Sequence, residues 1–264
     1  MQRTQDKQAP AHSNRSTEKL LSLIEAMSVL DEPIRLQDLS KKLGMNASTV
    51  LRFLAPLLRR GYVQQDPESN RYFLTFKLCG LANNISSRMD IRNVARPFLR
   101  NVAHIFQESA NLSIENDMSV MYLEVVNSPN KTVMAMQRIG HIAPMHCTGV
   151  GKIFLLEYSQ QKLDQLIAMK GLPTFTENTI TSRAALLLAL EEIRQRGYSL
   201  DNEECEIGAR CIAAPIRDYN GKIIAGISVS GPSMRMNDAY IFSKLPYLLD
   251  AAEQISIRLN GDVK

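Results

Sequence analysis

Apolar residues recur at helical spacing from Leu20 onward. Leu20, Leu23, Ile24 and Met27 share one face, predicting a first helix that Ser16 or Thr17 can cap and that Asp31-Glu32-Pro33 ends. Leu36, Leu39 and Leu43 predict a short second helix, with Gly44 at the left-handed position just past its end. A third helix is predicted from Asn46, whose side chain can cap it, to about Arg60; its apolar face carries Val50, Phe53, Leu54, Leu57 and Leu58. After Gly61, Tyr62–Gln65 and Arg71–Leu74 alternate like two strands around a turn-rich tip, Asp66-Pro67-Glu68-Ser69-Asn70. Three short helices and a hairpin form a module of residues 16–74. A connecting helix over Thr75–Met89 follows, its propensity lowered by Gly80 and Asn83-Asn84.

Beyond Asp90 the pattern becomes α+β. Ile91, Val94, Phe98, Val102 and Phe106 predict a helix, and strands are predicted at Leu112–Glu115, Met121–Val126 and Thr132–Arg138. Helices are predicted near Gly151–Glu157, Gln160–Met169 and Arg183–Arg196. Strands Cys211–Arg217 and Ile223–Ser230 flank a Tyr219-Asn220-Gly221 turn, and a closing helix carries Ile241, Leu245, Leu248, Ala252 and Ile255. The expected division is a disordered tail over 1–15, the first module over 16–74, a linker helix over 75–91 and a second domain over 92–264.

Charge sharpens this division. Residues 1–77 hold 12 Lys and Arg against 8 Asp and Glu, whereas residues 78–264 hold 19 of each. All of the chain's net charge of +4 therefore lies in the first third, as expected of a nucleic-acid reader joined to a neutral sensor. The polar first residues lack the apolar region of a secretory signal, and no apolar run approaches the length of a membrane helix, so a cytoplasmic protein is expected. The cysteines Cys79, Cys147, Cys205 and Cys211 are expected to be reduced, and they show no zinc-ligand spacing. A metal held by Cys147 and His146 would need ligands from elsewhere, and no metal or cofactor is expected.

The third helix carries the clearest chemistry. At 100° per residue Ser48, Arg52 and Arg59 fall opposite its apolar face, with Thr49 and Asn46 at the margins. In a helix-turn-helix the N-terminal half of this helix enters the major groove of double-stranded DNA. Arg52 can hold a guanine edge in a bidentate contact, and Ser48 or Thr49 can reach a base edge or a phosphate. Lys41, Lys42, Arg59, Arg60 and Arg71 are placed to meet phosphates. Pro56 removes one helical hydrogen bond and predicts a kink, which bears on Arg59 and Arg60 more than on Ser48, Thr49 and Arg52.

The segment LSKKLGMNASTVLRFLAPLLRRGYV resembles the reader module of the isocitrate lyase regulator (IclR) family. The segments MHCTGVGK, YSLDNEECEIGARCIAAPIRD and IIAGISVSGP resemble that family's effector-domain motifs, in the same order, so the likeness spans about Ser16 to Asn260. The resemblance implies a winged helix-turn-helix joined by a linker helix to a GAF-like effector-binding domain. It also implies assembly as a homodimer or homotetramer and control of genes for small carbon compounds. Its effector-contacting positions map to Gly149 and Val150, then Asp201, Ala209 and Cys211, then Ser228 and Ser230. Such amides and hydroxyls suit a carboxylate or sugar acid, and Asp201 suits its hydroxyls. Neighbouring Asn202, Glu203, Glu204 and Glu206 are expected on the solvated surface.

Enzyme readings fare poorly. Thr148-Gly149-Val150-Gly151-Lys152 lacks the first glycine of a phosphate loop, having His146 there, and Ile153 replaces its Ser or Thr. A cysteine hydrolase would need Cys147 or Cys211 activated by a His with an orienting carboxylate or amide, and no nucleophile elbow accompanies either thiol. No catalytic residue is expected. A nucleoid-type DNA binder without an effector would leave the large neutral second domain without a task.

Overall fold

The computed structural model describes residues 15–86, 90–127 and 137–261. The expected tail up to Asn14, and residues 132–136 of one expected strand, lie outside them. Gln137 and Arg138, the end of that strand, have no strand structure. The chain divides into two compact units, Met1–Arg88 and Met89–Lys264.

The first unit contains α1 (Arg15–Ser28), α2 (Leu36–Leu43), α3 (Ala47–Arg59), β1 (Val63–Gln65), β2 (Tyr72–Leu74) and α4 (Lys77–Ser86). Gly44 takes φ +61° beyond α2, and its amide donates to the Lys41 carbonyl, which turns the chain sharply into α3. Leu23, Leu39, Val50 and Leu54 are wholly buried, and Phe53, Leu57, Val63 and Tyr72 close the same core. β1 and β2 pair antiparallel, with Val63 opposite Leu74. At their tip the Asp66 carboxylate accepts from the Ser69 and Glu68 amides at 2.7 and 2.9 Å.

The second unit is α+β. Its six-stranded antiparallel sheet has the order β5-β4-β3-β8-β7-β6, built from β3 (Ser109–Asn116), β4 (Ser119–Val126), β5 (Ile142–Ala143), β6 (Ser199–Asn202), β7 (Ala209–Arg217) and β8 (Ile223–Pro232). On one face lie α5 (Ile91–Phe106) and α9 (Asp238–Asn260). The stripe that α5 buries is Ala95, Leu99, Val102 and Phe106, whereas Ile91, Val94 and Phe98 of the expected face are only partly covered. The other face carries α6 (Gly149–Leu155), α7 (Gln160–Lys170) and α8 (Arg183–Arg196) over a second core including Ile153, Leu163, Leu186 and Ile193. The β7–β8 turn forms as expected: Asp218 caps it by accepting from the Asn220 and Lys222 amides, and Gly221 takes φ +79°. No helix among the described residues is long and apolar enough to cross a membrane.

Candidate DNA-reading face and effector cavity

Burial of Val50, Phe53, Leu54 and Leu57 fixes how α3 is rolled on the first unit, and that roll decides what it shows to solvent. Asn46, Ser48 and Arg52 are exposed and Thr49 is half-buried, so the polar N-terminal half of the helix faces outward. The Arg52 guanidinium lies 5.6 Å from the centre of the Phe53 ring, giving its base an apolar support. Asn46 occupies the N-cap position, but its side chain makes no capping bond, so the expected cap is not formed. The helix continues through Pro56 to Arg59. Lys41, Lys42, Arg59 and Arg60 are exposed near the ends of α2 and α3. Arg71 is held differently: its guanidinium reaches the Pro33 carbonyl at 3.5 Å and lies 3.8 Å from the Glu32 carboxylate.

In the second unit three strands bring the expected effector positions into register. Asp201 pairs with Cys211 across β6–β7, and Cys211 pairs with Ser230 across β7–β8, so their side chains form one row. The start of α6 lies above this row, where a Cβ on Gly149 would stand 3.4 Å from the Cys211 Sγ and 3.5 Å from the Ala213 Cβ. Gly149, Val150, Asp201, Ala209, Cys211 and Ser230 line one cavity of about 490 Å³. Ser228 lies one row further on, 1% exposed and outside that lining, with its hydroxyl 3.5 Å from the Asn111 Nδ2. The same amide lies 3.4 Å from the Ser230 hydroxyl, while the buried Asn111 Oδ1 has no hydrogen-bond partner.

Tyr122, Gln137, His141 and Arg210 are among the further residues that line the cavity, together with Cys205 and Glu206, and sequence reasoning placed none of these six at the site. Tyr122 was within reach, since it alternates along β4 with the apolar residues of the opposite face, and Arg210 lies inside the segment YSLDNEECEIGARCIAAPIRD; no motif marks Gln137 or His141. Arg210 is already engaged, donating to the Met236 carbonyl and the Asp238 carboxylate, each at 2.6 Å. Burial pushes the Asp201 carboxyl up to about 7 against the hydrogen bond it accepts from the Glu204 amide at 2.8 Å. Burial, then the Asp201 charge, pushes the Cys211 thiol up to about 12.

Glu204 departs from expectation. Its side chain is only 10% exposed and forms an ion pair with the 3% exposed Lys152 of α6, so it is interior rather than solvated surface. An unpaired carboxylate could not be placed there without a large desolvation cost. Asn202 and Glu206 are exposed as expected, and Glu203 is intermediate.

The glycine-rich turn is not a phosphate cradle. The Gly151 amide donates to the Thr148 hydroxyl at 3.2 Å, that hydroxyl donates to the Pro144 carbonyl at 2.6 Å, and Lys152 is committed to Glu204. Of the turn's residues Gly149 and Val150 line the cavity, whereas Gly151 does not. His146 is buried with its Nε2 3.0 Å from the Pro173 carbonyl, and burial lowers its pKa. Cys147 is fully buried, and the influence of the Cys205 thiol together with that burial pushes its pKa up. Among the described residues no group of three or more His, Cys, Asp or Glu is placed to hold a metal ion.

Residues 16–67 match the IclR helix-turn-helix domain, and residues 83–257 match the bacterial transcriptional regulator IclR C-terminal domain. The chain is 34% identical over 254 residues to the HTH-type transcriptional regulator KdgR of Escherichia coli K12, covering 96% of this chain and 95% of that one. It is 30% identical over 222 residues to the HTH-type transcriptional repressor AllR of the same strain, covering 84% and 82%. The crystal structure of the Thermotoga maritima IclR superposes with a TM-score of 0.61 at 27% identity, covering 93% of this chain and 98% of that one.

Proposed function

This chain belongs to the IclR family of bacterial transcriptional regulators, and we propose how it divides the work of an effector-controlled DNA-binding protein. Residues 16–74 read operator DNA, 75–91 connect, and 92–264 hold the effector. α3 enters the major groove with Asn46, Ser48, Thr49 and Arg52 toward base edges, while Lys41, Lys42, Arg59, Arg60 and Arg71 meet phosphates. One module of this size buries too little surface for tight specific binding, so two or four copies bind together, each pair reading two half-sites. Control is repression, the role in the name of the AllR relative. A protein acting on chromosomal DNA works in the cytoplasm.

The observation that carries the sensor reading is a cavity into which separate segments bring polar groups, lined by Gly149, Val150, Asp201, Cys211 and Ser230. Its volume of about 490 Å³ suits a small metabolite. The effector is a small carboxylate or sugar acid. Its anionic end meets the first amides of α6 and the Ser230 hydroxyl, and its hydroxyls meet Asp201. Arg210, tied to Asp238, contributes field rather than a direct contact.

Fluorescence anisotropy of full-length protein on DNA from its own upstream region, with and without a panel of sugar acids, tests both halves. At least one acid should change operator affinity severalfold, within the about 1–3 kcal/mol typical of such coupling. Ser230→Ala should abolish that response and leave affinity without effector unchanged. If Ser230→Ala responds like the parent protein to the same acid, the cavity assignment is wrong.

A further inference from the structure

The sheet face beneath α6 carries enclosed polar side chains where an apolar floor would be ordinary. Strand pairing sets Ser230, Cys211 and Asp201 in one row, and Asn111, Ser228 and Ala213 in the next. Cys211 and Ala213 lie directly under Gly149, so both rows face α6. Asn111 is wholly buried, and Ser228 and Ser230 are nearly so. Polar groups taken out of water cost free energy unless they find partners. Asn111 serves both serines of β8: its Nδ2 stands 3.4 Å from the Ser230 Oγ and 3.5 Å from the Ser228 Oγ. Two apart on one strand, the serines project from the same face, so the two hydrogens of one amide nitrogen meet two hydroxyls.

We propose that Asn111 is the positioning residue that makes the Ser230 hydroxyl a donor toward the cavity, giving the site its preference for an anionic end over a neutral one, an inference that rests on the cavity being the effector site. An amide nitrogen has hydrogens and no accepting pair, so it can only donate. The Ser230 Oγ accepts from it, and the serine's own O–H turns away from Asn111, toward the cavity that Ser230 lines. Beside Ser230 in its row stands Cys211, whose sulfur is a weak acceptor, so an entering carboxylate oxygen is the better partner for that proton. A hydroxyl without such a neighbour rotates, accepts as readily as it donates, and selects neither.

The orientation of the amide follows from which groups go without partners. With Nδ2 on the serines, only the Asn111 Oδ1 is left unpaired. Exchanging the two atoms would strand two N–H groups in that same enclosed place, and a buried N–H without a partner is rarer than a buried oxygen without one. Asn111 does not line the cavity, so it touches no ligand and acts only through Ser230. Ser228, holding the second hydrogen from behind the lining, fixes the plane of the amide.

The test is calorimetry of the full-length protein with glycolate, D-gluconate and D-galacturonate, each beside its primary amide. The parent protein should bind at least one acid more tightly than its amide. Asn111→Leu, which keeps the branched outline and removes the amide, should weaken that acid about tenfold and shift its amide less than about twofold. A merely structural loss would lower both alike and leave their ratio unchanged. Ser230→Ala should bring the ratio to the same low value, and adding Asn111→Leu to it should lower the ratio no further. Circular dichroism checks that each variant folds. A crystal structure of the parent protein with the acid serves even if Asn111→Leu does not fold: an acid oxygen should sit on the Ser230 Oγ with the Asn111 Nδ2 still on that same atom. An acid bound directly to Asn111, equal binding of acid and amide by the parent protein, or an unchanged ratio in Asn111→Leu where Ser230→Ala lowers it, overturns the role of Asn111 and leaves the effector cavity standing. Failure of all three acids to bind the parent protein overturns both.

Discussion

Two aspartates show how differently the two units use polar groups. Asp66, at the tip of the β1–β2 hairpin, is only half-covered, and the Ser69 amide and hydroxyl and the Glu68 amide hold its carboxyl below the ordinary 3.8. Asp201, in the cavity wall, is buried, and that burial pushes it up to about 7. The reader keeps Ser48, Arg52, Lys41 and Lys42 in water, where each contact with a partner is weak and affinity is a sum over many. The sensor takes Asp201, Lys152, Glu204 and Ser230 out of water, where one missing partner is expensive. Polar and charged side chains are thus left in water in one unit and enclosed with partners in the other.

The largest effect should come from breaking the buried ion pair. Lys152→Met leaves the Glu204 carboxylate unpaired and should cost about 3–5 kcal/mol in urea denaturation, whereas Lys152→Met with Glu204→Leu should recover most of it. Loss of the exposed Arg71–Glu32 pair in the reader, 3.8 Å apart, should cost less than about 1 kcal/mol. Equal costs for the two single-pair losses would erase the contrast.

Acid titration should separate the units next. The folded-state value of Asp201 lies above the ordinary 3.8, so its contribution to stability is fully present below about 3.8 and is lost as pH rises through about 7. The slope in that window is at most about 1.4 kcal/mol per pH unit, and Asp201→Asn should flatten it. Asp66, with its lowered value, works in the opposite sense: its contribution is present above 3.8 and is lost as pH falls through the folded value. A stability profile unchanged by Asp201→Asn would show that this carboxyl is solvated.

Glycine substitutions test packing against backbone strain. A Cβ on Gly151 would lie 2.5 Å from the Met145 Cα and carbonyl oxygen, backbone atoms with no room to give, so Gly151→Ala should cost about 3 kcal/mol. Gly44 has open space around it and only its φ of +61° to oppose a side chain, so Gly44→Ala should cost about 1–2 kcal/mol. Thermal melts of the two variants, ranked in the reverse order, would contradict the close packing of α6.

Arg52→Ala should leave the melting temperature alone and cost about 1–3 kcal/mol on operator DNA, with preference blurred at one base position. Lys41→Ala should have the smallest effect, a uniform weakening on all sequences with the salt dependence reduced by about one unit. A gel-shift series in which Lys41→Ala alters base preference while Arg52→Ala does not would reverse the roles given to α2 and α3.

Several elements could be read from the chain because their determinants are local. Leu39 anchors α2 and Gly44 ends it, the apolar stripe from Val50 to Leu57 rolls α3, and Asp218 with Gly221 closes the β7–β8 turn, all within a few residues. β6 escaped notice because its inward positions are Ser199 and Asp201, the reverse of an apolar-inward strand; it exists through its pairing with β7. β5 has two residues and no pattern to show. The effector positions were reached through resemblance to a family, and spacing alone would not have joined Gly149, Asp201 and Ser230.

The order of apolar and polar residues by itself determined the helix-turn-helix, the hairpin after it, the excess charge of the first third and the outward face of α3, since each depends on neighbours one or two turns away. Tertiary structure alone decided that Glu204 lies inside while Glu206 stays in water, that Arg71 leans on the Pro33 carbonyl, and that Ser230 lines the cavity while Ser228 lies behind it. Burial of a charge is set by whether a partner arrives, and the partner of Glu204 stands 52 positions away on α6, a separation that no local pattern encodes.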